Sequence, residues 1–133
     1  MSTRATATFK IMDWDEHAFD LLDGERKLTQ ASVKQAFSGD IAGDGLVEWL
    51  MCYRPGQTTD FVGLQRISGR IGDRSGSFVL LQTAGTFDGK VAKGRLSVLP
   101  DSGTGELQGL QGTGQFIAPH GGQPSMTLDY DFG

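Results

Sequence analysis

The chain has 133 residues, among them 20 glycines, one cysteine and no asparagine. This length fits one domain covering residues 1–133 and leaves little room for a second. Twelve basic and sixteen acidic side chains give a net charge of -4, which argues against binding to the phosphate backbone of nucleic acids.

The N-terminal segment alternates apolar and polar residues, with Ala5, Ala7, Phe9 and Ile11 on one face. A period of two is typical of a half-buried β-strand. The segment that follows, Asp15 to Glu25, clusters apolar residues and is the only one compatible with a helix. It is short enough to serve as a lid, a plug or a loop.

Apolar or β-branched segments make up most of the remaining chain, and turn residues separate them. Six of these segments are predicted as strands, at about 27–38, 45–54, 58–71, 76–87, 89–99 and 112–118. Gly39-Asp40 and residues 42–45 are among the predicted turns, and Asp88-Gly89 is expected to form a two-residue hairpin loop. The C-terminus alternates again, with its apolar residues at Met126, Leu128, Tyr130 and Phe132. The total is about eight strands.

Eight antiparallel strands in so short a chain would leave exposed sheet edges unless the sheet closes. We therefore predict an all-β protein with a single eight-stranded antiparallel β-barrel, and a β-sandwich as the alternative. Glycines inside strands commonly mark bulges, kinks or close backbone approach. Five such glycines are Gly63, Gly69, Gly76, Gly85 and Gly94.

Residues 102–114 form the most glycine-rich segment of the chain. Three of its glycines are spaced G-x-G-x-x-x-G, which differs from the dinucleotide-binding pattern, and no G-K-[ST] of a phosphate-binding loop is present. We interpret the segment as a tight connection between two barrel strands. Leu107 and Leu110 are expected to lie over the barrel end.

The same segment resembles the signature of a bacterial family of unknown function that belongs to the allene oxide cyclase-like barrels. The matching residues are Ser102-Gly103-Thr104-Gly105-Glu106-Leu107, Gly109-Leu110, Gly112-Thr113-Gly114, Trp14, Gly39-Asp40-Ile41, Gly43, Tyr53-Arg54-Pro55, Phe61-Val62-Gly63-Leu64, Gly76-Ser77-Phe78-Val79, Gly85-Thr86-Phe87 and Leu128-Asp129-Tyr130. The resemblance implies a calycin-like barrel similar to the plant cyclases and, more distantly, to the dirigent proteins. The plant relatives bind a fatty-acid epoxide in the lumen, but their catalytic positions have no residue-by-residue match here.

An eight-stranded barrel is either packed solid or wide enough for one small ligand. The strand at 45–54 is apolar on both faces, so one face could line the lumen and the other an interface between subunits. The two faces are Val47, Trp49, Met51 and Tyr53, against Leu46, Glu48, Leu50, Cys52 and Arg54. We therefore expect a homo-oligomer, a dimer or a trimer.

Glu48 is the candidate catalytic residue, because burial in the lumen would raise the pKa of its carboxyl and suit it to proton transfer. The alternative is a surface carboxylate paired with a cation such as Arg54 or Arg66. Gln65 and Gln82 could orient a ligand carbonyl or hydroxyl, or could satisfy one another or a water. The ligand-binding candidates are Trp49, Cys52, Tyr53, Gln65, Gln82 and Tyr130.

No metal or cofactor is predicted, because His17 and His120 belong to no ligand motif and Cys52 has no companion thiol. Cys52 also cannot close an intramolecular disulfide. The N-terminus lacks the apolar core of a signal peptide, and no apolar run reaches the roughly 18 residues of a spanning helix. We expect a cytoplasmic protein that does not insert into membranes.

Three functions remain open from the sequence. The first is a module that binds a small apolar or amphipathic molecule in the lumen. The second is an isomerase or cyclase acting on a lipid-like or polyketide-like substrate, by analogy of fold. The third is a filled barrel that serves as a structural oligomer without ligand. A lumen cavity of a few hundred Å³ would favour the first two, and a filled lumen the third.

Overall fold

The computed structural model describes residues 2–24 and 26–133. Eight strands close into one barrel in the order β1 to β8, and each strand is antiparallel to both neighbours, β1 and β8 included. The strands are β1 (Thr3–Leu21), β2 (Lys27–Gly39), β3 (Ile41–Arg54), β4 (Thr58–Ile71), β5 (Arg74–Phe87), β6 (Val91–Val98), β7 (Gln111–Pro119) and β8 (Ser125–Asp131). The predicted all-β barrel is confirmed.

The two ends of the barrel differ in whether a segment of the chain covers the lumen, and we call them the closed end and the open end. The closed end contains the start of β1 and the end of β8, and a single 3₁₀ turn at Gly105–Leu107 lies over it. The open end contains the end of β3 and the start of β4. No helix within the described part of the chain has the length and hydropathy needed to cross a bilayer.

The glycine-rich connection closes the lumen as the sequence predicted. The side chains of Leu107 and Leu110 are both buried in the core. The hydroxyl of Thr104 accepts a hydrogen bond from the Ser77 backbone N–H at 3.0 Å. A Cβ on Gly76 would lie 2.0 Å from the Thr104 carbonyl oxygen, so glycine is required for this close approach.

The predicted helix at Asp15 to Glu25 is wrong over the described residues, because β1 continues to Leu21. The β1 backbone pairs with β2 along this stretch, after a bulge between Ile11 and Asp13 that shifts the register. These cross-strand hydrogen bonds override the short apolar cluster that favoured a helix. Glu25 lies outside the described residues.

Strand β1 extends well past the stretch over which it pairs with β8. Strand β8 pairs only with Thr3–Thr8 of β1, whereas β2 pairs with β1 from Ala7 to Leu21. The distal part of β1 therefore stands at the open end with one paired edge, and Trp14 and Glu16 on this part reach the lumen side.

Two predicted turns also need correction. Residues 42–45 lie inside β3, where Gly43 faces Gly69 of β4 and a Cβ on Gly43 would come within 2.1 Å of the Ser68 carbonyl oxygen. These glycines bend the sheet rather than end a strand. The hairpin after Phe87 resumes at Val91, which makes its loop three residues rather than two.

The strand-interior glycines behave as predicted. Register shifts opposite Gly63 and beside Gly85 mark a bulge in β5, where the stretch from Gln82 to Thr86 has one residue more than β4 and β6 on either side. A Cβ on Gly94 would lie 2.8 Å from the Phe116 ring, so the absence of a side chain leaves room for that ring.

Candidate ligand cavity

A cavity of about 700 Å³ occupies the open half of the lumen. Apolar side chains form most of its wall, and its largest contributors are aromatic: Phe9, Trp14, Trp49, Phe61, Phe87 and Phe116. Polar side chains also reach the cavity, at Gln35, Tyr53, Gln57, Thr59 and His120. This size and composition are typical of a site for a small organic molecule.

The aromatic rings of the wall pack against one another. The ring of Trp49 lies 5.6 Å from that of Trp14 and 5.2 Å from that of Phe61, centroid to centroid. Phe61 in turn lies 6.1 Å from Phe116 across the lumen. Tilted contacts at such distances are favourable beyond the burial of apolar area, so the wall is preorganised.

A chain of three buried glutamines forms the floor of the cavity. The indole Nε1 of Trp49 donates to Oε1 of Gln82 at 2.6 Å, and Nε2 of Gln82 donates to Oε1 of Gln65 at 2.9 Å. Nε2 of Gln65 then donates to Oε1 of Gln35. The floor separates the cavity from the packed closed half, where Ile67, Phe78 and Leu80 fill the lumen.

At the rim, the carboxylate of Glu16 accepts three hydrogen bonds. Oε2 accepts from the Thr29 hydroxyl at 2.7 Å and from the Tyr53 hydroxyl, and Oε1 accepts from Nε1 of Trp14 at 3.0 Å. The Lys27 ammonium lies 4.7 Å from the centroid of the Tyr53 ring. These contacts tie β1, β2 and β3 together beside the cavity mouth.

The rim cluster shifts two pKa values. Burial raises the pKa of Glu16, but hydrogen bonds from Thr29, Tyr53 and Trp14 favour the ionised form and leave the pKa below its ordinary 4.5. Burial, followed by the hydrogen bond to Glu16, raises the pKa of Tyr53 to about 12. At neutral pH the rim therefore carries a carboxylate held by a neutral phenol.

The sequence model of a family described as "Protein of unknown function (DUF3224)" matches residues 5–130. The chain belongs to the DUF3224 family. A solved structure of a DUF3224 protein of unknown function from Shewanella oneidensis MR-1 is 26% identical, and the match covers 100% of this chain and 99% of that one with a TM-score of 0.83. No curated protein matches the chain. The predicted membership of a family of unknown function is confirmed.

The structure of this DUF3224 protein brings four of the seven candidate residues to the cavity or its floor. Trp49 and Tyr53 line the cavity, and Gln65 and Gln82 lie in the floor, bonded to one another. A void of about 10 Å³ borders both glutamines, which is about the room that one water needs.

Three candidates lie elsewhere: strand alternation turns two of them to the outer wall, and strand register puts the third at the closed end. Of the two positions predicted for Glu48, the lumen-facing one is wrong and the side chain is exposed on the outer wall. Its Oε1 accepts there from Gln30 at 3.0 Å and Ser32 at 2.7 Å, rather than from Arg54 or Arg66. Cys52 also lies on the outer wall, in a shallow groove beside Leu50. Tyr130 lies at the closed end, with its ring 6.0 Å from that of Phe132.

The candidate site residues predicted from the sequence did not include Gln35, Trp14 and Glu16. Gln35 could have been found, because it shares a face with Val33 and Phe37 in a predicted strand, as Gln65 and Gln82 do in theirs. Glu16 was hidden by the helical interpretation of Asp15 to Glu25, and Trp14 directly precedes that segment. No group of three or more His, Cys, Asp or Glu side chains within the described ranges could hold a metal ion.

Proposed function

We propose that this DUF3224 protein binds one small apolar or amphipathic molecule in the open half of the barrel. The observation that carries the proposal is the cavity of about 700 Å³, with an aromatic wall and polar groups concentrated at its floor and rim. Ligand sites commonly combine a preformed apolar wall with a few placed polar groups. The cavity also favours binding over the filled, purely structural barrel.

No comparable observation favours the isomerase or cyclase alternative. That hypothesis rests on analogy of fold, and its candidate catalytic residue, Glu48, lies on the outer wall. The carboxylate nearest the cavity is Glu16, which is held in its ionised form by three donors. The relationship to the plant cyclases remains a prediction from the sequence.

Binding is tested by titrating the protein with N-phenyl-1-naphthylamine, a neutral apolar dye whose fluorescence rises in apolar surroundings. Two neighbouring residues of β7 supply a matched pair of variants. Ala118 lines the cavity, whereas Ile117 is exposed on the outer wall. Ala118→Phe fills part of the cavity and should weaken dye binding at least tenfold, while Ile117→Phe should leave it unchanged.

Two outcomes would count against the proposal. Absence of saturable dye binding by the wild-type protein would contradict a ligand site of this chemistry. Equal binding by wild type and Ala118→Phe would show that the dye occupies another surface. Circular dichroism of both variants checks that the barrel remains folded.

We also propose that the outer face of β3 and β4 is covered by further copies of this chain in a dimer or trimer. Leu50, Val62 and Leu64 are 55%, 48% and 50% exposed, and Leu50 and Val62 are direct cross-strand neighbours. A contiguous apolar surface of this kind is typical of an interface. It is the second apolar face that the sequence predicted for β3.

Light scattering at micromolar concentration tests this association. The wild-type protein should have the mass of a dimer or trimer, and Leu64→Lys should have the mass of a monomer. Ile117→Lys places the same charge on β7, at an apolar residue that is 46% exposed, and should not change the mass. A monomeric wild type contradicts the proposal.

A further inference from the structure

We infer that the floor of the cavity donates a hydrogen bond to the ligand, and that the site selects neutral molecules that direct a carbonyl group toward the floor. This inference rests on the proposed function and specifies the ligand class of the same cavity. It follows from the direction of the hydrogen-bond chain that runs through the three buried glutamines, the last of which is Gln35.

The direction of the chain is set by the indole of Trp49, because an indole N–H can donate but cannot accept. Gln82 must therefore turn its amide oxygen toward Trp49, at 2.6 Å, and its amide nitrogen toward Gln65. Gln65 in turn receives this bond on its oxygen and donates from its nitrogen to Gln35. Each amide orientation follows from the one before it.

The last amide of the chain is left with its nitrogen unused. Oε1 of Gln35 accepts from Gln65, and Nε2 of Gln35 has no protein acceptor among residues 2–24 and 26–133. The residue is only 3% exposed and lines the cavity. Every side-chain nitrogen or oxygen sealed from solvent in those residues has a partner, so Nε2 of Gln35 is not sealed. Gln35 borders both the cavity and the water-sized void beside the floor, and we take its amide nitrogen to face the cavity.

A buried donor without a partner favours a ligand that brings an acceptor and disfavours one that leaves the donor unpaired. A neutral carbonyl fits better than a carboxylate for two reasons. An amide alone compensates poorly for burying a full charge among aromatic rings. At the rim, ionised Glu16 also offsets the neighbouring Lys27 ammonium, so this cluster gives an entering anion no net attraction.

The remaining polar groups of the cavity do not require the ligand to supply a hydrogen-bond acceptor. The hydroxyl of Thr59 lies near the rim, since Thr59 pairs with Tyr53 and Phe87 at the open end, and a hydroxyl can donate or accept. The wall between rim and floor is aromatic. The geometry thus points to an apolar body against Trp49, Phe61 and Phe116, with its carbonyl oxygen directed at Gln35.

A pair of ligands of matched shape tests the inference, namely 2-acetylnaphthalene and 2-ethylnaphthalene, which differ in the carbonyl. Each is titrated as a competitor of bound N-phenyl-1-naphthylamine in the wild type and in Gln35→Met, which keeps the length of the side chain and removes the donor. The ratio of the two affinities should shift about three- to tenfold against the ketone in the variant.

Gln115 on β7 is exposed and supplies the control. Gln115→Met should leave the affinity ratio at its wild-type value. The infrared carbonyl stretch of bound 2-acetylnaphthalene gives a second measurement, and it needs no variant to fold. In the wild type the band should lie below its frequency in hexane, and in Gln35→Met it should return toward that frequency.

The outcomes separate this inference from the proposed function. An unchanged affinity ratio in folded Gln35→Met, or a hexane-like carbonyl band in the wild type, overturns the donor floor while dye binding still supports a ligand site. Failure of the ketone to displace a bound dye overturns it in the same way. If the wild type does not bind the dye at all, both the proposed function and this inference are wrong.

Discussion

The two halves of the barrel use the same eight strands and the same alternation of side chains, yet they differ in what fills the lumen. The closed half is packed with aliphatic and aromatic side chains such as Ile67, Phe78 and Leu80, which are almost completely buried. The open half is lined by aromatic rings that leave a cavity of about 700 Å³. Only the closed half is a conventional protein core.

The difference follows from the lengths of the connections at the two ends. At the closed end, residues 99–110 between β6 and β7 fold over the lumen and insert Leu107 and Leu110. At the open end, the connections 55–57 and 88–90 are too short to reach across. Packing that stabilises the fold is therefore concentrated at one end, and the candidate binding surface lies at the other.

The largest expected effect lies in the closed half. Leu107→Ala removes a fully buried side chain from the segment that covers the lumen, and we expect it to lower the free energy of unfolding by about 2–5 kcal/mol. Urea denaturation followed by circular dichroism measures this change. The affinity of the folded variant for N-phenyl-1-naphthylamine should stay at its wild-type value, because the substitution lies below the glutamine floor.

Leu21→Ala provides the control for this substitution. Leu21 is 76% exposed at the end of β1, so the same change in volume should alter the free energy of unfolding by less than about 0.5 kcal/mol. If the two variants lose similar stability, the closed end is not the main packed core. If Leu107→Ala weakens dye binding, the two halves are not independent.

A smaller effect is expected at the rim of the open half. At neutral pH, Glu16→Gln replaces an ionised acceptor of three hydrogen bonds and should lower the free energy of unfolding by about 1–2 kcal/mol. The folded pKa of Glu16 lies below the ordinary 4.5, so the contribution of the carboxylate is present above pH 4.5. It is lost as the pH falls through the folded pKa, and the difference between the two proteins should shrink there.

Glu48→Gln separates this effect from the removal of any carboxylate. Glu48 also accepts hydrogen bonds from two side chains, Gln30 and Ser32, but on the exposed outer wall. We expect a change within about 0.5 kcal/mol. Parallel urea titrations of both variants at several pH values distinguish the two sites, and equal losses would mean that the rim cluster stabilises nothing beyond an ordinary surface carboxylate.

Much of the fold was predictable from the sequence, because strand alternation and turn residues are local signals. The bounds of β4 and the covering of the closed end by Leu107 and Leu110 were predicted correctly. The distal half of β1 was not, since its bulge after Ile11 breaks the period and its strand pairing comes from β2. Pairing with a neighbouring strand therefore determined the structure of a segment whose local sequence pattern did not distinguish a strand from a helix.

The candidate site was less predictable than the fold. Alternation correctly put Trp49 and Tyr53 on one face of β3 and Glu48 and Cys52 on the other, but alternation alone does not say which face points inward. Nor does it say at which end of the barrel an inward residue lies. Tyr130 faces inward, yet at the closed end, because register across several strands sets that height.

The smallest expected effect in the open half concerns one side chain, and titration of the Tyr53 phenol tests it. In the variant Tyr130→Phe, Tyr53 is the single remaining tyrosine, so the near-ultraviolet absorbance of phenolate reports it alone. Its midpoint should lie at about 12 rather than the ordinary 10.0. Because this pKa is raised in the fold, the stabilising contribution is complete below pH 10 and declines as the pH rises toward 12. Adding Glu16→Gln removes the charged acceptor and should lower the midpoint toward 10, whereas a midpoint that does not move would assign the whole shift to burial and leave the rim hydrogen bond without effect.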